Sequence, residues 1–341
     1  MIKKSYGLSI LAIGIVISLV ACEFQPTVAF DSAKSGDITL PFLSKREIST
    51  MLRRTDPSNL PKDVMAEMPD YEPDGSGPWN PGRVKQEALQ LALDRLNLLR
   101  RLSGLPPVVM TDAHNEAAQY GAALMGITQS YGHGGQPPVP GISDEDHNKG
   151  TSATASGSIY PINNLVLAID GYNRDPGNPT VGHRLWQLNP GQEAVGIGFV
   201  PQIGAKTGAM CEKVSGTPAP EGQKPRSFDW DFVSWPSAGY FPLVGSLFGT
   251  PATWSVQLNP NKYVASNAVK ITLTRLNDKK TWSFNWQTGF LGGPTTVFRI
   301  LDGGKDHPYQ DGERYQVELK GLKDKAGNPV EFSFITEFFT P

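Results

Sequence analysis

The chain has 341 residues, 39% of them hydrophobic and 19% charged, which is enough apolar material for a packed core and excludes wholesale disorder. Its formal net charge is −2 and no basic block interrupts it, so the electrostatics give no case for a nucleic-acid partner. The 36 Gly and 29 Pro follow no period, which excludes collagen and long helices and points to loop-rich, strand-rich structure.

In chain order, Lys3 and Lys4 come first, followed by an apolar run from Leu8 to Val20. The run is short for a membrane span and reads as a secretory signal peptide over residues 1–21. Leu19-Val20-Ala21-Cys22 resembles a bacterial lipobox. The resemblance implies cleavage before Cys22, acylation of that residue, and a lipid bilayer as partner. Several acyl chains, at about 0.8 kcal/mol per buried methylene, hold a protein stably where one chain does not. Glu23 is not the aspartate that commonly retains lipoproteins at an inner membrane, so the expected address is the outer membrane or the cell surface. The alternative is an ordinary cleaved signal with an incidental cysteine. Cleavage removes Lys3 and Lys4 but no acid, leaving a formal charge of −4. With Cys22 acylated, Cys211 has no partner for an intramolecular disulfide, and Ala209-Met210-Cys211 reads as strand with the thiol as apolar filler.

Residues 22–80 are rich in Pro, Ser, Asp and Lys and read as a tether with a short helix near Ser44–Arg54. Leu89, Leu93, Leu96 and Leu99 then mark a helix over 84–103, stopped by Gly104 and Pro106-Pro107. Thr111 or Asp112 caps a second helix with a small-residue face through Ala117, Ala118, Ala122 and Ala123. Gly132–Ser158 reads as a loop, Ile162–Tyr172 as a third helix and Val181–Leu188 as a fourth. From Glu193 the pattern turns to strands: Ala194–Val200, Gly208–Val214 and Asp229–Trp235, with Gly216–Pro225 as a loop between the last two. Val195-Gly196-Ile197-Gly198-Phe199 has no side chain at alternate positions, so another wall must lie close over that face. Gly182, before His183, is expected to allow close approach or a positive φ. Six short strands between Trp254 and Phe338 predict a small β-sandwich.

Residues 88–200 resemble the CAP superfamily of cysteine-rich secretory, antigen-five and pathogenesis-related proteins and their bacterial SCP-type relatives. The matching pieces stand in family order: Leu96-Asn97-Leu98-Leu99-Arg100 with Gly104-Leu105-Pro106-Pro107-Val108, the alanine-rich helix, His133, Tyr172-Asn173-Arg174-Asp175, Gly182-His183-Arg184 with Asn189-Pro190, and the glycine-spaced strand. The resemblance implies a CAP-type α-β-α sandwich over 81–236; with the strand pattern of residues 237–341, which it does not cover and which reads as a small all-β, sandwich-like domain, the class is α+β. The resemblance also implies a cleft holding two histidines and two acids. His133 and His183 carry over, and Asp175 replaces one glutamate. The stretch where the other is expected, Thr151–Ser158, contains no acid, and Asp144, Glu145 and Asp146 come too early, in the loop.

The expected cleft is therefore His133, Asp175, His183 and Arg184, the last paired with Asp175 or Asp170. Two imidazoles and a carboxylate form a sensible set for a divalent metal such as zinc, with His133 and His183 as ligands; a polar cluster that orders loops is the plainer reading. His114, His147 and His307 are read as surface or turn residues without a role. No Gly-x-Ser-x-Gly elbow supports a serine hydrolase. The favoured function is a membrane-anchored binding module of the cell envelope, taking a small apolar molecule, peptide, glycan or protein. The alternative is a metal-dependent or histidine-assisted hydrolase using His133, His183 and Asp175.

Overall fold

The computed structural model describes residues 42–70, 79–155, 157–161, 163–202, 204–215, 228–287 and 293–341. The signal peptide, Cys22, the first part of the tether and the Gly216–Pro225 loop lie outside the described residues.

Helix α1 (Lys45–Arg54) opens on a reciprocal cap, in which Ser44 Oγ accepts the Glu47 N–H and the Glu47 carboxylate accepts the Ser44 N–H at 2.8 Å. Its Ile48 and Leu52 are buried in the main core, and Lys45 pairs with Glu337 at 2.6 Å. The short strands β1 (Met65–Glu67) and β2 (Arg83–Val84) then pair antiparallel, with Val64, Met65 and Val84 in the same core. This corrects the tether reading for residues 42–70. The prolines interrupt helix, but four spaced apolar side chains are enough to dock the segment.

Helix α2 (Gln86–Leu102) stops at Gly104, whose φ of +71° suits only glycine well. After β3 (Val109–Met110), Thr111 caps α3 (Asp112–Thr128) by accepting the His114 N–H at 3.2 Å. The expected loop 132–158 contains two elements, α4 (Asp144–Ala155) and β4 (Gly157–Pro161). Asp144, Glu145 and Asp146 are thus the first turn of a helix, where carboxylates favour the helix dipole. Gly150 lets α4 close on α3, since a Cβ there would meet Leu124 Cδ1 at 2.4 Å. Next come α5 (Leu165–Arg174), capped by Asn164, then α6 (Gly182–Gln187), β5 (Ala194–Val200) and β6 (Ala209–Lys213).

The strands form one sheet in the order β3-β5-β6-β4. Helices α3 and α4 cover one face around Ala118, Ala122, Ala153 and Cys211; α2 and α5 cover the other around Ile197, Phe199, Met210 and Tyr172. The glycine-spaced strand meets its expected wall: a Cβ on Gly196 would lie 2.1 Å from His114 O, and one on Gly198 2.2 Å from the Ala118 backbone.

The remaining strands are β7 (Phe232–Trp235), β8 (Gly239–Pro242), β9 (Trp254–Leu258), β10 (Tyr263–Val264), β11 (Lys270–Arg275), β12 (Thr281–Asn285), β13 (Thr295–Phe298), β14 (Leu301–Asp302), β15 (Lys305–Asp306), β16 (Arg314–Asp324) and β17 (Pro329–Phe339). One sheet runs β12-β11-β16-β17-β8 with β10 on β16, and a second runs β13-β9-β7. They pack face to face through rings such as Trp254 on Phe338 at 6.0 Å and Phe232 on Phe334 at 5.1 Å. Because β7 pairs with β9, the β-rich part begins before Trp235 rather than at 237. One apolar core runs from α2 and α5 into the sandwich.

Candidate functional site

Two backbone outliers shape the site. Asp175 ends α5 at φ +51°, and Val181 enters α6 at φ +47°. An aspartate tolerates this left-handed region; a β-branched valine is strained there. The positive φ thus falls on Val181 and not on Gly182 as the sequence suggested. Complete burial of Val181 and the hydrogen bonds around it hold the turn, a pattern common where a local geometry has a task.

The turn brings Asp175 to His183. Oδ2 accepts the His183 backbone N–H at 3.0 Å and the Asn178 Nδ2 at 3.0 Å, and Oδ1 accepts His183 Nδ1–H at 2.9 Å. A carboxylate only accepts, so this contact places the Nδ1 proton on His183. His133, exposed in its glycine loop, makes a parallel choice: Nδ1 faces the Thr154 carbonyl at 3.2 Å and must donate to it. The two rings stack with centroids 5.6 Å apart and planes 27° from parallel, and Tyr172 lies 5.6 Å from His183 on another side. Tyr172 is held in turn by its hydroxyl on the Met210 carbonyl at 2.8 Å. Neither Nε2 has a hydrogen-bond partner among the described residues, so the pair offers two neighbouring acceptors.

His133, His183 and Asp175 are therefore brought together, as the sequence indicated, but Asp175 orients His183 from behind instead of standing beside it as a third ligand. Among the described residues no group of three His, Cys, Asp or Glu is placed to hold a metal ion. The residues present do not fit the zinc set that two histidines and a carboxylate suggested.

Arg184 is not a cleft residue. It is 1% exposed and donates to the carbonyls of Asn173, Arg174 and Thr253 and to Ser255 Oγ, at 2.6–3.1 Å. Nor does it pair with Asp170, which takes a bidentate bond from Arg95 at 2.7 Å on both arms. Cys22 lies outside the described residues. Cys211 is buried and free, and burial pushes its thiol up to about 12, which makes it inert. His114, read as a surface residue, is half-buried, and His307, read as a turn residue, is 6% exposed between Asp302 and Tyr315.

A second acid is present where the sequence did not show one. Glu212, fully buried on β6, accepts Gln187 Nε2 at 2.8 Å, and burial pushes its carboxyl up to about 7, against the pull of Gln187, His183 and Arg100. Period-two alternation along Ala209–Lys213 puts Glu212 on the same face as the core residue Met210, and that parity was the available signal.

Among curated proteins, none matches the chain significantly. Residues 93–207, which run from within α2 to just before β6 and include His133, Asp175 and His183, match the sequence model of the Cysteine-rich secretory protein family, CAP. With the three-layer fold and the stacked histidine pair that these residues build, this part of the chain is a CAP domain.

Proposed function

We propose that the chain is an exported binding module of the bacterial cell envelope, anchored to the bilayer through acylated Cys22, whose His133–His183 cleft binds a glycan. The observation that supports this reading best is the commitment of both Nδ1 atoms, one to Asp175 and one to the Thr154 carbonyl. Two Nε2 acceptors on stacked rings suit a ligand rich in hydroxyl or amide donors; a purely apolar ligand that covered them would leave them unpaired, at about 1–3 kcal/mol each. Binding is favoured over thiol catalysis because Cys211 is buried among Ala118, Ala122 and Ala153, where its thiol is inert.

The test is calorimetric titration of the purified protein with oligomers of N-acetylated amino sugars. Wild-type protein binds, and the His133→Ala/His183→Ala double variant, still folded, loses at least tenfold in affinity. Equal binding by both proteins refutes the reading, and cleavage of the oligomer that disappears in the double variant converts it into the hydrolase. For the anchor, Cys22→Ser should move the protein from the membrane to the soluble fraction; an unmodified Cys22 peptide from membrane-bound protein contradicts it.

A further inference from the structure

Glu212 sits at zero exposure in a sheet strand with one hydrogen bond, from Gln187 Nε2. Its other oxygen, Oε1, is buried and has no partner among the described residues, and the same holds for Oε1 of Gln187, the side chain it touches. Two contacting side chains thus leave one buried acceptor each. Buried acceptors without donors are rare because each forfeits its full solvation. A single proton on Glu212 Oε1 resolves both, because a carboxylic acid and a primary amide close a ring of two hydrogen bonds, amide N–H to acid C=O and acid O–H to amide C=O.

We propose that Glu212 is a neutral carboxylic acid in the resting protein, joined to Gln187 in this acid–amide ring, and that it is a positioning residue for His183. Gln187 and His183 are four residues apart on α6 and share a face of it. Fixing the Gln187 side chain to β6 fixes the helix that delivers His183, while Arg100 holds the same residue through its carbonyl at 2.7 Å. On ionisation the Glu212 O–H bond breaks, the proton leaves to water, the ring loses its second hydrogen bond, and a negative charge appears behind the cleft. The charged and titratable groups that act on Glu212 are His183 from α6 and Arg100 from α2. Arg100 is directed to the carbonyls of Pro106, Gln187, Asn189 and Gln192. Strand β5 contributes none, and Cys211 and Lys213 alternate to the opposite face, toward α3 and its His114. Burial, which holds the carboxyl near 7, supports the same assignment. The inference is independent of what the cleft binds.

The test compares the full protein with Glu212→Gln, an amide that preserves the two-bond ring without a titratable proton. At pH ~5.5 the infrared spectrum of wild type carries a protonated-carboxyl C=O band that the variant lacks. The Gln187 side-chain amide signal in NMR shifts with a midpoint near neutral pH in wild type and stays flat in the variant. The thermal midpoint of wild type falls by about 5 °C between pH 5 and 8, and that fall is absent in the variant. If the variant does not fold, the wild-type Gln187 titration decides alone. A missing band, a Gln187 signal that does not move, or a variant with the pH dependence of wild type overturns the proposal.

Discussion

Asp175 holds His183 at two atoms, the ring Nδ1 and the backbone N–H. In Asp175→Asn one of those acceptors becomes a donor facing a donor. We expect a loss of about 1–3 kcal/mol in denaturant unfolding, with oligosaccharide binding weakened at least tenfold. Glu212 makes the opposite kind of contribution. Its carboxyl is held at about 7 when folded, against 4.5 ordinarily, so between those values the folded protein keeps a proton that the unfolded chain has released. Stability from this group is complete below the lower value and lost as pH rises through the upper one, about 3 kcal/mol in all. Unfolding measured from pH 4.5 to 8 should show that decline in wild type and a flat profile in Glu212→Gln. The two histidines and Asp175 were legible because each stands next to a glycine or a turn that marks it. Glu212 was not, because its partner Gln187 is 25 residues away and only the fold brings them into contact.

Helix α3 lies on β5 backbone to backbone, and the two strand glycines make that possible. Gly198→Ala would force a Cβ to 2.2 Å from the Ala118 backbone, which cannot rotate away. The expected cost is at least about 3 kcal/mol, read as a fall in the denaturation midpoint or loss of folded protein. Gly132→Ala, with no atom within 4 Å of the new methyl, should stay within about 0.5 kcal/mol of wild type. This contact was readable in advance, since a strand with hydrogen on alternate positions needs a wall. Helix α4 and strand β4 were not readable. The inner face of α4 consists of Gly150, Ala153 and Thr154, side chains too small to give a hydrophobic stripe, and its helix-breaking neighbours suggested a loop.

The CAP domain and the sandwich act as one body. Arg184, one residue from His183, ties the end of α5 to β9, and Asp170 receives both Arg95 of α2 and Ser246 from the loop after β8. Calorimetry should accordingly show one unfolding transition. Arg184→Ala, which removes the donor from four acceptors, two of them in buried contacts, should lower the stability of that transition by about 3 kcal/mol without splitting it; two separated transitions would contradict the shared core. The sequence marked two domains and a tether because composition changes at their borders. It did not reveal their fusion, which rests on arginine–carbonyl bonds across 69 residues and on Ile48 and Leu52 docking from a proline-rich stretch. Ligand binding depends most on two stacked imidazoles, each with its Nε2 left to accept. The nitrogen-15 NMR spectrum of the histidine rings in their neutral form tests this most directly. It should show His133 and His183 as Nδ1–H tautomers, with His183 losing that preference in Asp175→Asn; an Nε2–H tautomer at His183 in the wild-type protein would contradict the account.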